Sequence, residues 1–473
     1  MENGEILTKR KGQYFVDNGR LFHFQKLIAK GAVEAYICAK RDSKNCPVRI
    51  HVEDGVIIKQ YHTHTCSSNP AEIEVKRIQN RLKEYAVQSQ ENPDTLLGRS
   101  ISGQSQAVLL SMPNKDATRK MIQRARNAIS GAPSNPSSLQ DIVFPASYQM
   151  YKGEQFLLVD SGAIEPDNER IVIFGKQSYQ DWSQQVGRLF IDGTFSVCPP
   201  LFYQLVEILA ERGGRVFPIF FALLPNKSRR TYDRLFGYIK EIRPNLMPMS
   251  IATDYEIALY SAAQNAWPDV EIRGCFFHLH QAIKRKICSK GLKRRYDNDP
   301  DFNLWSKCIA SLAYVPTEKI TESFEKLVQE MPDEIRGDLE PILDYFEDTY
   351  IGRPIGNNKR RKPRFCPSIW SVYSRVINDQ DRTNNYSEAA HKRLHKQFAM
   401  DHPTIWKFID ALKFVQEIQD KVYEEFVRGD QPAQKRKKYR SADDKIKEIV
   451  EGGLERRTVT EYLKGISTHY SIS

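Results

Sequence analysis

The chain has 473 residues, 40% of them hydrophobic, and its 70 lysines and arginines against 59 aspartates and glutamates leave a net charge of +11. That length exceeds one ordinary domain and that apolar fraction supports real cores, so two or three folded units are expected, with a basic surplus suited to work against phosphate. Eight scattered cysteines exclude a disulfide framework, no run reaches the roughly 18 apolar residues of a membrane span, and the opening MENGEILTKRKGQYF lacks a secretory core, so a reducing compartment away from membranes is expected.

Residues 1–68 alternate aromatic and β-branched positions in GQYFVDNGRLFHFQKLI, AVEAYICAK and PVRIHVEDGVIIKQYHTH, broken by turns at Asp17-Asn18-Gly19 and Asp54-Gly55. The pattern predicts a small antiparallel sheet, too small to stand without a staple. Cys38 and Cys46 are separated by seven residues, and fifteen more lead to His62 and His64. On a strand, a His-x-His pair projects both rings to one face, so two thiolates and two imidazoles form the tetrahedral donor set of structural zinc, with Cys66 as a substitute ligand. Together with Tyr14, Phe15, Phe22, Phe24, the YICAK around Cys38, Cys46 before PVRI and the HTH at 62–64, this stretch resembles the FLYWCH zinc finger, a relative of the WRKY and GCM DNA-binding folds. Pro47 after Cys46 is a mild departure from that family. The resemblance implies a four-stranded sheet on DNA, with Lys9, Arg10, Lys11, Lys40 and Arg41 as phosphate contacts.

Residues 69–138 change to helical spacing. Ile78, Leu82, Tyr85 and Ala86 share one face, and Met121, Ile122, Ala125 and Ile129 share another, beside Arg119, Lys120, Arg124 and Arg126. A DNA-contacting helical segment is expected there, with Arg119, Lys120 and Arg124 as contacts, closed by the linker SGAPSNPSS at 130–138.

Residues 139–400 hold the largest domain. GRLFIDGTFSV, FYQLVEILAE and RVFPIFFALLP read as three strands in series, TYDRLFGYIKEIRP as a helix, and MSIATDYE and VEIRGCFFHLHQAIKRKI as strands running into helices. This order predicts an α/β fold with a mixed sheet covered by helices. Acidic residues outnumber basic ones 12 to 4 over 301–350, then basic outnumber acidic 11 to 3 over 351–400, which marks a helical insertion at about 300–380. Residues 401–473 read as a helical basic tail containing QKRKKYR at 434–440. That run and KRRKPR at 359–364 are expected to be DNA-facing surface, nuclear import signals or solvated charge alone.

Asp192 stands inside the apolar LFIDGTF, where a carboxylate has no use unless paired or metal-bound, and Asp254 ends the strand SIATDYE. With Glu388 in RTNNYSEAAH they supply the three acids that two-cation phosphoryl chemistry requires. From about 186 to 395 the chain resembles the transposases of Mutator-like elements, the MULE domain of the DDE superfamily. Asp192, Asp254 and Glu388 fall on the family's catalytic acids, and Cys275-Phe-Phe-His278, followed by His280, falls on its Cys-x-x-His signature. The resemblance implies a ribonuclease-H-like sheet using Mg²⁺ or Mn²⁺ at Asp192, Asp254 and Glu388. It further implies terminal inverted repeats and target DNA as partners, a nuclear location, and a homo-oligomer. The cysteine-rich SWIM module of many relatives has no counterpart here, since no cysteine follows Cys366. The function expected is metal-dependent DNA cleavage and strand transfer. The alternative is a domesticated, non-catalytic zinc-finger regulator that binds DNA without cutting it.

Overall fold

The computed structural model describes residues 5–9, 12–89, 91–130, 133–163, 167–356, 359–398, 401–432 and 437–470. The chain divides into two units, Met1–Ser134 and Asn135–Ser473.

The first unit opens with β1 (Glu5–Lys9), β2 (Gly12–Asp17), β3 (Arg20–Ile28), β4 (Val33–Cys38), the one-turn α1 (Arg41–Lys44), β5 (Arg49–Glu53) and β6 (Val56–Tyr61), paired in sequence order into a wholly antiparallel sheet. It has six strands where the resemblance implied four. Asn18 and Gly19, and Asp54 and Gly55, all adopt positive φ, the type I′ geometry that fits a twisted two-residue hairpin, so both turn signals act as expected. Phe15, Phe22, Tyr36, Val48, Ile50 and Val52 form a core on one face, together with Cys38 and Cys46. Four helices follow: α2 (Pro70–Gln88), α3 (Pro93–Ile101), α4 (Gln106–Ser111) and α5 (Lys115–Ser130). Asn69 and Asn92 cap α2 and α3 ahead of prolines that need no hydrogen-bond acceptor there. Ile78, Leu82, Ala86 and Ile122 close a common core, whereas Tyr85 is exposed and the Ile129 side chain lies outside the described residues.

The second unit begins with α6 (Ala146–Gln149), the short hairpin β7 (Met150–Tyr151) and β8 (Glu154–Gln155), and two strands unforeseen in the sequence, β9 (Leu157–Asp160) and β10 (Val172–Phe174). Next come β11 (Arg188–Thr194), β12 (Gln204–Arg212), β13 (Arg215–Leu224), α7 (Arg229–Ile242), β14 (Ser250–Thr253), α8 (Ile257–Ala266), β15 (Glu271–Gly274) and α9 (Phe276–Ser289). Their sheet order is β15-β14-β11-β12-β13-β10-β9. Strand β11 pairs antiparallel with β12 and parallel with β14, and β14 pairs parallel with β15. This is the mixed sheet expected of a ribonuclease-H-like domain. Leu189, Ile191, Val206 and Ile208 pack with Leu235 and Ile239 of α7 and Leu259 of α8 on one face. Strands covered on both faces need no polar side, which explains their near-continuous apolar runs.

The insertion comprises α10 (Lys293–Asn298), α11 (Pro300–Ser311), α12 (Ile320–Glu330), α13 (Asp333–Phe346), the strand pair β16 (Pro354–Gly356) and β17 (Lys359–Arg360), α14 (Pro367–Trp370) and α15 (Tyr373–Ile377). After it come α16 (Asn385–Phe398), α17 (Ile405–Val427), α18 (Lys437–Gly452) and α19 (Val459–Ser467). The segment read as a basic tail is packed. Ile446 and Val450 of α18 and Tyr462, Leu463 and Ile466 of α19 are buried in the core of the insertion, and Val422 and Phe426 of α17 lie against the core of the sheet. Among the described residues no helix is long and apolar enough to cross a membrane.

Candidate active site and metal centre

In the first unit, Cys38, Cys46, His64 and Cys66 bring their donor atoms within 4.8 Å of one another. Cys38 Sγ lies 3.6 Å from Cys66 Sγ, Cys46 Sγ 3.3 Å from His64 Nδ1, and Cys66 Sγ 3.6 Å from the same nitrogen. A tetrahedral zinc with bonds of about 2.0–2.3 Å has edges of about this length, so the donor set fits the ion. Burial opposes ionisation of Cys46, but the amides of Val48 and Thr65 and the His64 ring outweigh it and bring the thiol down to about 5. Cys38 goes the other way, pushed up to about 12 chiefly by burial, and needs a cation to become a thiolate.

His62 is the correction. Strand β6 stops at Tyr61, and His62 turns into the left-handed region at φ 66°, so the alternation that would set it beside His64 is broken. It stands exposed outside the quartet, and Cys66 takes the fourth corner. Of the expected DNA contacts, Arg10, Lys11 and the Lys9 side chain lie outside the described residues. Lys40 is paired with Glu72 at 2.6 Å, and Arg119 grips Asp94 with two hydrogen bonds of 2.8 and 2.6 Å, whereas Arg41, Lys120 and Arg124 are exposed. Arg126 caps carbonyls of Ala86, Ser89 and Glu91. The run at 434–440 is described only from 437, and in the basic run at 359–364 Arg360 is paired with Glu347 and Glu325, and Arg361 with Asp348.

In the second unit, Phe190 of β11 pairs with Ala252 of the parallel β14; two residues further on, Asp192 is still within β11 and Asp254 is the first residue past the end of β14. Helix α16 covers this face, its Ala390 packed on Phe190 and Leu209. Residues 388, 391 and 395 recur at helical spacing along α16. His391 Nδ1 reaches 3.8 Å from Asp192 Oδ2, and His395 Nε2 lies 2.6 Å from Ser196 Oγ just beyond β11. Glu388, one turn before His391, is close enough to raise the Asp192 pKa.

Electrostatics confirm the gathering of like charge. Burial, then the neighbouring Asp254, raise Asp192 to about 6, with Glu388 adding to the shift and His278 opposing it. Burial also raises Asp254, with His278 and Lys227 pulling it down. His391 is driven to about 4 by burial and by His395 and His278, so it is neutral and its approach to Asp192 is a polar contact rather than an ion pair. Among the described residues, the side chains gathered closely enough to form a ready-made metal cluster are those of the first unit, and Asp192, Asp254 and Glu388 are not among them. Oxygen donors under mutual repulsion, with Asp192 buried and Asp254 and Glu388 half-buried, suit hard divalent cations. Among the described residues, His278 Nδ1 and His391 Nε2 are buried without a hydrogen-bond partner, which shows polar capacity left unused beside these acids.

Cys275 and His278 divide the work of their motif. Cys275 is 2% exposed, and its sulfur accepts the Asn384 amide at 3.1 Å, while the Phe276 amide donates to Arg382 O at 3.1 Å. These bonds fasten the segment leading into α16, and so the helix that carries Glu388. His278, one turn into α9, faces Asp192 and Asp254. His280 points away, its ring against Tyr470, which follows α19 and packs on the core of the insertion.

Sequence reasoning missed three neighbours. Lys227 acts on Asp254 and is bound to Glu256 at 2.9 Å. His391 has been described. Glu207 of β12 is paired directly with Asp192 across the strands, is 2% exposed, and is raised to about 8 by burial. Its signal was the same as that of Asp192, a lone acid in the apolar run QLVEILA.

Residues 188–282 match the model of the MULE transposase domain. The match includes Asp192, Asp254, Cys275 and His278 and ends before Glu388. No curated protein matches the chain.

Proposed function

We propose that this chain is a transposase, or a protein descended from one, that cuts DNA by hydrolysis and joins the freed 3′ hydroxyl to target DNA. The observation that carries the reading is Asp192 on β11 and Asp254 just past the end of the adjacent parallel strand β14, beside the helix of Glu388. The MULE match over the same sheet supports it. Asp192, Asp254 and Glu388 would hold Mg²⁺ or Mn²⁺, which when bound supplies activation of the attacking oxygen and stabilisation of the leaving one. Neutral His391 orients the Asp192 carboxylate, Cys275 fixes the approach to α16, and Lys227 offsets the charge of Asp254.

Cys38, Cys46, His64 and Cys66 would hold zinc in a closed structural site of FLYWCH type. Its sheet, together with exposed Arg41, Lys120 and Arg124, would engage terminal inverted repeats in the nucleus. The test is incubation of the zinc-loaded chain and Asp192→Asn with DNA bearing the terminal repeats that flank its own locus, with Mn²⁺. Cleavage by wild type and none by the variant is the expected result, a loss of 10³-fold or more in rate. Equal cleavage by both would reject the site, and zinc-dependent binding without cleavage by either would establish the regulator instead.

A further inference from the structure

We propose that Glu207 is a fourth acidic ligand of the divalent-cation site, extending Asp192, Asp254 and Glu388 across a third strand of the sheet. The inference rests on the reading of those three residues as a cation site and adds a residue that no catalytic motif of the sequence includes.

The argument starts from register. In the antiparallel pair of β11 and β12, Phe190 faces Leu209, Asp192 faces Glu207 and Thr194 faces Leu205. Directly opposed residues share a face, with Cβ atoms about 4.5–5.5 Å apart. Phe190 and Leu209 of this face meet Ala390 of α16, so Glu207 points beneath the same helix as Asp192. The alternate face is occupied differently, with Val206 and Ile208 buried in the core beneath α7 and α8.

Burial then makes the group costly unless it has a use. Glu207 is 2% exposed, and its Oε2 is buried without a hydrogen-bond partner among the described residues. A buried carboxyl oxygen left unpaired has given up its hydration for no compensating hydrogen bond. Packing offers no reason to keep it, since Leu205 and Leu209 fill the neighbouring positions of the same face with apolar groups. A structural ion pair does not explain it either. Arg393 of α16 is the cation that acts on Glu207, yet it is exposed and no ion pair joins the two among the described residues. The charge that Glu207 senses beside Arg393 is that of Asp192. A cation drawn into the site by Asp192 would meet an oxygen already held in place by the sheet and free to bind.

Two cations about 3.5–4 Å apart need more oxygen donors than three carboxylates readily supply, and an acid across the strand from Asp192 provides them on the side away from Asp254. Asp192 then lies between the two, the natural position for a bridging ligand.

The experiment is calorimetric titration of the full-length, zinc-loaded chain with Mn²⁺, without DNA, for wild type, Glu207→Gln, Glu207→Asp and Asp192→Asn, with thermal melting as the check on folding. Glu207→Gln keeps the shape and removes the anionic oxygen, so it should weaken Mn²⁺ binding by about tenfold or more, or lower the stoichiometry, while Asp192→Asn removes binding. Glu207→Asp, which keeps the carboxylate but shortens its reach, should fall between, and this comparison decides the matter if the Gln variant does not fold. Wild-type affinity and stoichiometry in both Glu207 variants, with binding lost in Asp192→Asn, would overturn the proposal and leave the catalytic reading intact. Absence of Mn²⁺ binding by wild type would overturn both.

Discussion

The N-terminal sheet gathers three thiols and an imidazole from the loops and ends of its strands, whereas the second sheet sets oxygen donors beside a small apolar cluster under α16, on strands whose other face is held by a large core. The first arrangement has few buried residues of its own, so the zinc proposed for it would bind as the sheet folds. In the second, the framework is complete before any cation arrives, and the price is a cluster of buried acids raised above their ordinary range. With the proposed zinc, the first centre would therefore need its metal to fold. The other should tolerate the metal's absence and be more stable without its acids.

The largest effect expected from this contrast is at the zinc quartet. Chelation should melt the N-terminal sheet, because structural zinc contributes roughly 10–16 kcal/mol in small modules, and leave the second unit folded. Metal analysis of purified variants sharpens the point: Cys66→Ala should lose its zinc and His62→Ala should keep it. The reverse pattern would restore the alternating His-x-His arrangement that the left-handed His62 excludes.

A smaller effect of opposite sign is expected at Asp192. Its folded pKa of about 6 lies above the ordinary 3.8, so folding favours the neutral acid. The stability this confers is full below about pH 4 and is lost as pH climbs through 6. In metal-free buffer at pH 7, Asp192→Asn should therefore melt higher than wild type by an amount on the order of 1–3 kcal/mol, and the gap should shrink toward pH 4. A gap of the same size at both pH values would show that the carboxylate is not under the repulsion described. The smallest effect concerns the fastening of α16. Cys275→Ala leaves the buried Asn384 amide without its acceptor, costing about 1 kcal/mol and slowing cleavage several-fold, while Cys275→Ser should recover most of both. Identical behaviour of the two variants would remove the tether from the account.

Strands β11 to β15 and their intervening helices were legible because their apolar runs are long and turn residues separate them. Asp192 was legible for a related reason, as an acid where only apolar residues are expected. Glu207 carried the same mark and was passed over, since only the pairing of β11 with β12 reveals that it opposes Asp192. His62 misled because period two holds only while the backbone stays extended, and nothing in Tyr-His-Thr-His announces a left-handed residue. Strands β9 and β10 are too short, at four and three residues, to show a period. Residues 401–473 were legible as helical, but not that α18 and α19 pack into the core of the insertion.

That last packing bears on the order in which the protein is made. The core of the insertion, formed largely by residues 276–376, is completed by Ile446, Val450, Tyr462, Leu463 and Ile466, and Asp443 of α18 binds Arg382 at the entrance to α16. During synthesis from the N-terminus, the sheet with both aspartates leaves the ribosome long before these closing helices. The glutamate's helix therefore gains its full support only after α18 and α19, which follow it in the chain, have been made and packed.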